Sequence, residues 1–353
     1  MKKTTIDPLH LHLDEVKAYM ARQTFHQIPE LKGKPFDISP LAKGEYHLNY
    51  RLSSKEETYL FRMNMGSQMG LEDQITYEFK ALAYLQNCGR TPRPLFYDDS
   101  KEEISRGVGV MEFIPGDDAF NYGTDSDEAA RLFADIHAVT PEVEALHLVK
   151  EEAAATLLVE ECFPMLDVYL HAHNADPTLK SYLAEVRCWM EENKGICDRF
   201  FTQLPMPAII NTEVNATNFI VNREARTLHL VDWEMAKYGD PSQDLCHFCS
   251  PLTTMWKKPV RLTENQKRSF LKTYAASTTK PGLGETIEER VRFRDPFVYL
   301  RGISWSAMAW IKYQDPNWTG VRNESTWNTL TRYMDFSLIR ELFDPYLNMG
   351  DLQ

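Results

Sequence analysis

The chain is short of positive charge: 39 Lys and Arg stand against 51 Asp and Glu, a formal net charge of −12. A phosphate backbone demands a basic face, so general nucleic-acid binding is excluded. Cysteine is sparse, with six residues scattered over 353, which suits reduced thiols and not a disulfide framework. Cys246 and Cys249 face no second pair of Cys or His, as a structural zinc requires, and read as two core positions on one helix. Long apolar runs are missing too. The ten residues GISWSAMAWI between Arg301 and Lys312 make about half a bilayer span, so no membrane association is expected. The start, MKKTTIDPLHLHLDE, reaches Asp7 and Asp14 without the apolar stretch of a secretory leader, and a cytoplasmic location is expected. With 16 glycines, 19 prolines and no internal repeat, collagen-like and low-complexity architectures are excluded as well.

What is present is a change of period. Residues 8–25 carry Leu9, Leu13, Val16, Tyr19 and Met20 at helical spacing. From about Ile38 the period becomes two. Tyr46, Leu48, Tyr50 and Leu52 share one strand face, Ser53 to Glu56 make a polar turn, and Thr58 to Asn64 return as a second strand, in a hairpin beginning at Gly44. On the return strand Leu60, Arg62 and Asn64 share one face, opposite Tyr59, Phe61 and Met63. Residues 72–87 form an amphipathic helix stopped by Cys88-Gly89, and strand-like runs at 94–97 and 107–113 complete a small antiparallel sheet.

Beyond Pro115 the pattern predicts helices over 128–139, 152–170, 177–192, 264–278 and 292–313. A strand-rich insert interrupts them, with apolar runs at 207–211, 219–222 and 228–233. The fold class is therefore α+β: a small sheet-bearing part over 1–113 and a larger, mostly helical part over 114–353.

Chemistry concentrates in the insert. Its loop reads Asn211-Thr212-Glu213-Val214-Asn215-Ala216-Thr217-Asn218, and its third run ends in Asp232-Trp233-Glu234. Hard cations such as Mg²⁺ take oxygen ligands, so the Asn218 amide and the Asp232 carboxylate at neighbouring strand ends make a candidate metal pair. Glu213, five residues before Asn218, is placed to accept a hydroxyl proton beside it.

The order of these features resembles the aminoglycoside phosphotransferase and choline kinase superfamily, which has a two-lobed protein-kinase-like fold. The resemblance runs from about Leu41 to Leu245. Ile210 to Val221 is similar to the family's H-G-D-x-x-x-x-N catalytic loop, and LVDWEMAKYGDPSQDL over 230–245 to its metal-binding Asp and the G-D-P-x-x-D-L segment. The resemblance puts Asn211 at the family's His, Thr212 at its Gly and Glu213 at its catalytic Asp, while Asn218 and Asp232 keep the metal ligands. It also implies that Arg62 meets the nucleotide phosphates and Glu78 fixes its direction. Ala42 to Asn49 corresponds to the phosphate-covering loop, and Glu112 and Ile114 to the backbone that meets an adenine between the lobes. Asp244 corresponds to a brace for the catalytic loop, and His137 to a structural helix position.

These parts imply an ATP- or GTP-dependent phosphotransferase that uses Mg²⁺ and acts on a hydroxyl of a small molecule. A Glu in place of Asp adds about 1.5 Å of reach, and misplacement by about 1 Å can cost a hundredfold in rate. A nucleotide-binding pseudokinase with a regulatory or scaffolding role is the alternative. The net charge, together with Trp256, Trp305, Trp310, Trp318 and Trp327 in the helical part, points to a cationic amine or amino sugar as acceptor. The acceptor's identity, the choice of ATP or GTP and the oligomeric state stay open at this level.

Overall fold

The computed structural model describes the chain except residues 1–6, 23–24, 26–27, 117–118, 143–145, 258, 319–322, 351 and 353. In chain order its first elements are α1 (Pro8–Leu11), α2 (Leu13–Met20), β1 (Asp37–Lys43), β2 (His47–Ser53), β3 (Thr58–Asn64), α3 (Gln74–Leu85), β4 (Pro94–Asp98) and β5 (Val108–Glu112). There follow α4 (Tyr122–His137), α5 (Ala154–His171), α6 (Pro177–Gln203), β6 (Ala208–Ile210), β7 (Phe219–Asn222), β8 (Thr227–Leu230) and β9 (Lys237–Gly239). The rest is helical: α7 (Ser242–Cys249), α8 (Pro251–Lys257), α9 (Glu264–Ser277), α10 (Leu283–Gln314), α11 (Glu324–Tyr333) and α12 (Phe336–Leu347). Among the described residues no helix is long and apolar enough to cross a membrane.

Two compact units interleave along the sequence, one built from residues 1–120, 139–149 and 218–236, the other from 121–138, 150–217 and 237–353.

The first unit is a five-stranded antiparallel sheet, order β1-β2-β3-β5-β4, with short helices. The helix expected over 8–25 is interrupted at His12, which keeps a right-handed backbone (φ −96°, ψ 0°) but serves as the C-cap of α1 and the N-cap of α2; part of 21–27 lies outside the described residues. Tyr50 is the register partner of Phe61 and Phe61 of Val110, so Leu48, Tyr50, Leu52, Phe61, Met63 and Val110 form one apolar layer shared with Leu9, Val16 and Tyr19. Each such fully buried side chain contributes roughly 1.5–3 kcal/mol. Alternation alone would leave the opposite face wet. Instead His47, Asn49 and Arg62 on β2 and β3 are buried. β7 and β8 form a two-stranded sheet separate from the one that holds β2 and β3. β8 stops at Leu230, short of the expected Trp233, because Asp232 takes a left-handed conformation (φ 68°) that no strand continues through.

The second unit is mostly helical around α10, which packs on α5, α7, α9 and α11. α10 begins nine residues before the expected Arg292. Its first half is charged and contains Pro296, which hides the helix from a periodicity reading. Arg290 and Arg294, one turn apart, are nevertheless fully buried in ion pairs with Asp240 and Glu151. α6 likewise runs on to Gln203, started by Pro177 and by Asp176, whose carboxylate accepts the Leu179 N–H at 2.8 Å. β6 pairs not with another part of the insert but with β9, a strand of three residues that no pattern announces. α8, α11 and α12 are also additions to the expected set. Cys246 and Cys249 both lie buried on α7, as their spacing implied, and burial pushes the Cys249 thiol up to about 12.

Candidate active site

Four of the residues singled out from sequence meet in the first unit. Asn49 and Arg62 are register partners on β2 and β3, and the Arg62 Nε donates to Asn49 Oδ1 at 3.2 Å. The Arg62 Nη1 donates to Glu78 on α3 and, at 3.3 Å, to Asp232 Oδ1 just after β8. Burial works to lower the Arg62 pKa, but the carboxylates of Glu78, Asp232 and Glu234 outweigh it and hold it above its usual value. A guanidinium bonded on three sides keeps one orientation, and its charge is permanent.

Asn218 ends a short 3₁₀ turn and is buried; its carbonyl accepts the N–H of Val231, the neighbour of Asp232. Asn218 and Asp232 thus stand at adjacent ends of the β7–β8 hairpin. An amide and a carboxylate there are the hard oxygen donors that Mg²⁺ takes, and the Asp232 side chain, 23% exposed, is open to it. Glu112 and Ile114 lie apart from this group. Glu112 pairs with Tyr59, three positions from Arg62, or about 10 Å along the strand. Its N–H is committed to the Arg93 carbonyl at 2.8 Å and its side chain accepts the Arg93 N–H at 3.1 Å.

The second unit holds Glu213 on a turn of unusual backbone. Thr212 has φ 70°, a left-handed conformation that costs a β-branched residue about 1–3 kcal/mol. Surrounding groups over-determine it. The Asp244 carboxylate, fully buried on α7, accepts the N–H groups of Asn211 and Thr212, both at 2.8 Å. His137 backs Asp244 through Nε2 at 3.3 Å, and its Nδ1 lies 2.9 Å from the Tyr274 hydroxyl. His247 Nδ1 meets the Thr212 carbonyl at 2.7 Å; a carbonyl only accepts, so the ring carries its proton on Nδ1. Burial lowers the His247 pKa and keeps the ring neutral.

The helix carrying Asp244 is itself fixed by the same GDPSQD segment. Asp240 Oδ1 accepts the Ser242 N–H at 3.0 Å and its hydroxyl at 2.6 Å. Gly239 is required because a Cβ there would come within 2.8 Å of Glu151 Oε2. Glu151 in turn forks onto Arg294 at 2.8 and 2.7 Å. Within the turn, Asn211 Oδ1 accepts the Glu213 N–H at 3.0 Å, so the residue at the family's His position closes an Asx turn.

Sequence reasoning missed three side chains of these two groups. Arg301 on α10 donates through Nη2 to Glu213 Oε1 at 3.2 Å and through Nε to Glu161 at 3.0 Å. His47 and Glu234 flank Asp232, with His47 Nδ1 3.6 Å from Glu234 Oε2 and 4.0 Å from Asp232 Oδ1. Glu234 had a signal, its position two residues after Asp232; His47 and Arg301 had none beyond polarity within an apolar pattern.

Residues 37–284 match the Phosphotransferase enzyme family. Among curated proteins, Acyl-CoA dehydrogenase family member 11 of Homo sapiens is 23% identical over 270 residues, 73% of this chain and 32% of that protein. The chain spans about a third of the length of the curated relatives it matches. A Ralstonia eutropha JMP134 protein, described as a candidate aminoglycoside phosphotransferase, superposes with a TM-score of 0.71 at 16% identity, covering 96% of this chain and 99% of that one. Choline kinase from Cryptosporidium parvum Iowa II superposes with a TM-score of 0.60 at 13% identity, covering 96% and 97%. At such identities the likeness is one of fold, the two-lobed protein-kinase-like α+β arrangement expected from the sequence.

Proposed function

Because the chain belongs to the phosphotransferase enzyme family, we propose that it is a small-molecule kinase, moving the γ-phosphoryl group of ATP or GTP to a hydroxyl of a small polar acceptor. The observation that carries this reading is Arg62, buried and held by Asn49, Glu78 and Asp232. An arginine so anchored pays little further entropy to meet phosphate oxygens, and phosphoryl transfer rests largely on such positioning. Asn218 and Asp232 would hold Mg²⁺, which when bound neutralises phosphate charge. The Glu112 carbonyl and Ile114 backbone suit the edge of a nucleobase.

Glu213 is the group suited to accept the acceptor's hydroxyl proton, with Arg301 setting its direction. One turn after Arg301 on α10, Trp305 is 38% exposed and lies edge-on to Trp256 at 5.4 Å between centroids. An open indole beside the residue that holds Glu213 supports an ammonium-bearing acceptor, an amine alcohol or an amino sugar. Trp310 and Trp327 stack on each other at 6.2 Å, and Trp318 on Tyr313 at 4.8 Å, which suits packing roles.

The nucleotide-binding pseudokinase stays as a second reading because of one observation, the Glu213–Arg301 ion pair, which engages Oε1 of the carboxylate that would have to meet the acceptor's hydroxyl. Thermal stabilisation by Mg-ATP and Mg-GTP, combined with turnover against cationic and neutral hydroxyl acceptors, separates the two. Stabilisation with turnover is expected. Stabilisation without turnover would select the pseudokinase, and the absence of both would overturn both readings.

A further inference from the structure

The imidazole of His47 is buried at the start of β2, and its Nδ1 has no hydrogen-bond partner. It is aimed at two carboxylates that are near without bonding to it, Glu234 Oε2 at 3.6 Å and Asp232 Oδ1 at 4.0 Å. One donor atom from each of the three residues lies within 4.8 Å of the others. Ligands on a tetrahedral ion with bonds of about 2.1 Å stand roughly 3.4 Å apart, close to the first of these separations.

The placement is built by its surroundings. A Cβ at Gly44 would fall 2.4 Å from His47 Nε2, so only glycine lets the ring lie over the turn. The Gly44 N–H closes that turn on the His47 carbonyl at 2.9 Å. Across the site, Trp233 is fully buried and its Nε1 donates to the Leu230 carbonyl at 3.1 Å. Anchored there, it leaves its neighbours Asp232 and Glu234 both facing His47. Charge agrees with geometry: Arg62 is one cation among three carboxylates, Glu78, Asp232 and Glu234, so the group falls two positive charges short of neutrality.

We propose that His47, Asp232 and Glu234 form an imidazole–dicarboxylate site for a divalent first-row transition ion such as Mn²⁺ or Zn²⁺, which binds in the absence of nucleotide. Mg²⁺ prefers oxygen donors and retained water, whereas an imidazole nitrogen favours the transition metals. The inference rests on the kinase reading only for the use of the ion in phosphoryl transfer; binding of the ion does not depend on it.

The test is a Co²⁺ titration of the nucleotide-free chain of 353 residues, followed by visible absorption, with Mn²⁺, Zn²⁺ and Mg²⁺ as competitors. One Co²⁺ per chain is expected, displaced by Mn²⁺ or Zn²⁺ at concentrations at least tenfold below those of Mg²⁺. His47→Ala should weaken Co²⁺ at least tenfold while circular dichroism shows an intact fold. Gly44→Ala, which displaces the ring without removing it, should do the same. No Co²⁺ signal in the natural chain, unchanged affinity in both variants, or equal competition by Mg²⁺ would overturn the proposal. Failure of Mg-ATP to bind while Co²⁺ binding persists would count against the kinase reading alone.

Discussion

Arg301 Nη2 stands 3.2 Å from Glu213 Oε1, while its Nε holds Glu161 at 3.0 Å, so one guanidinium ties the 211–213 turn to α5 through α10. The Glu213 side chain is thereby held by a partner on α10. Arg301→Met should lower kcat by about 10–100-fold and leave the nucleotide KM within twofold, since misplacement of a reacting group acts on the chemical step. Steady-state kinetics with a turned-over acceptor checks it. An unchanged kcat would show that Arg301 does not position Glu213.

Thr212 holds φ 70° where glycine would be at ease. Thr212→Gly is expected to be about 1 kcal/mol more stable than Thr212→Ala, because both lose the same contacts and only glycine escapes the left-handed penalty. Urea denaturation midpoints of the two variants, at equal m-values, decide it.

Asp244 accepts two backbone N–H groups and faces His137 with no solvent contact. Asp244→Ala should cost about 3 kcal/mol or more, since it orphans two buried donors at once. Asp244→Asn, which keeps one acceptor oxygen, should cost less. Equal losses in the two variants would argue that volume and not hydrogen bonding sets the effect.

His247 has its pKa lowered in the folded chain by burial, so the unfolded state takes up the proton first. Its contribution to stability is complete above the unfolded value of about 6.5 and is lost as pH falls from there toward the lower folded value. The natural chain should therefore lose stability more steeply between pH 7 and pH 5 than His247→Gln. Chemical denaturation across that range measures it, and parallel curves would exclude His247 as the titrating group.

Asp232→Ala should abolish Mg²⁺-dependent stabilisation by nucleotide with the fold intact, and Asn218→Ala should weaken it less, because a carboxylate contributes more to a hard cation than an amide. Isothermal titration with Mg-ATP reads both. Unchanged affinity in the Asp232 variant would remove that residue from the metal set.

Local pattern determined much of this protein. Alternation over 46–64 gave two strands and put Arg62 opposite Phe61 and Met63; the apolar stripe at Ile75, Phe79, Leu82 and Leu85 gave α3; and the spacing of Cys246 and Cys249 gave two buried turns of α7. Such features depend on neighbours within a few residues, and a period of 2 or 3.6 reports them directly. Which polar side chains would be brought together was decided only by the tertiary structure. His47 and Glu234 are 187 positions apart and Arg301 and Glu213 are 88 apart, so no window along the chain contains either pair. The first half of α10 stayed hidden for the same reason: Arg290 and Arg294 look solvent-facing until Asp240 and Glu151 arrive to neutralise them. Periodicity reports which face a residue takes, whereas a buried charge is stable only with a partner, and the partner comes from the fold.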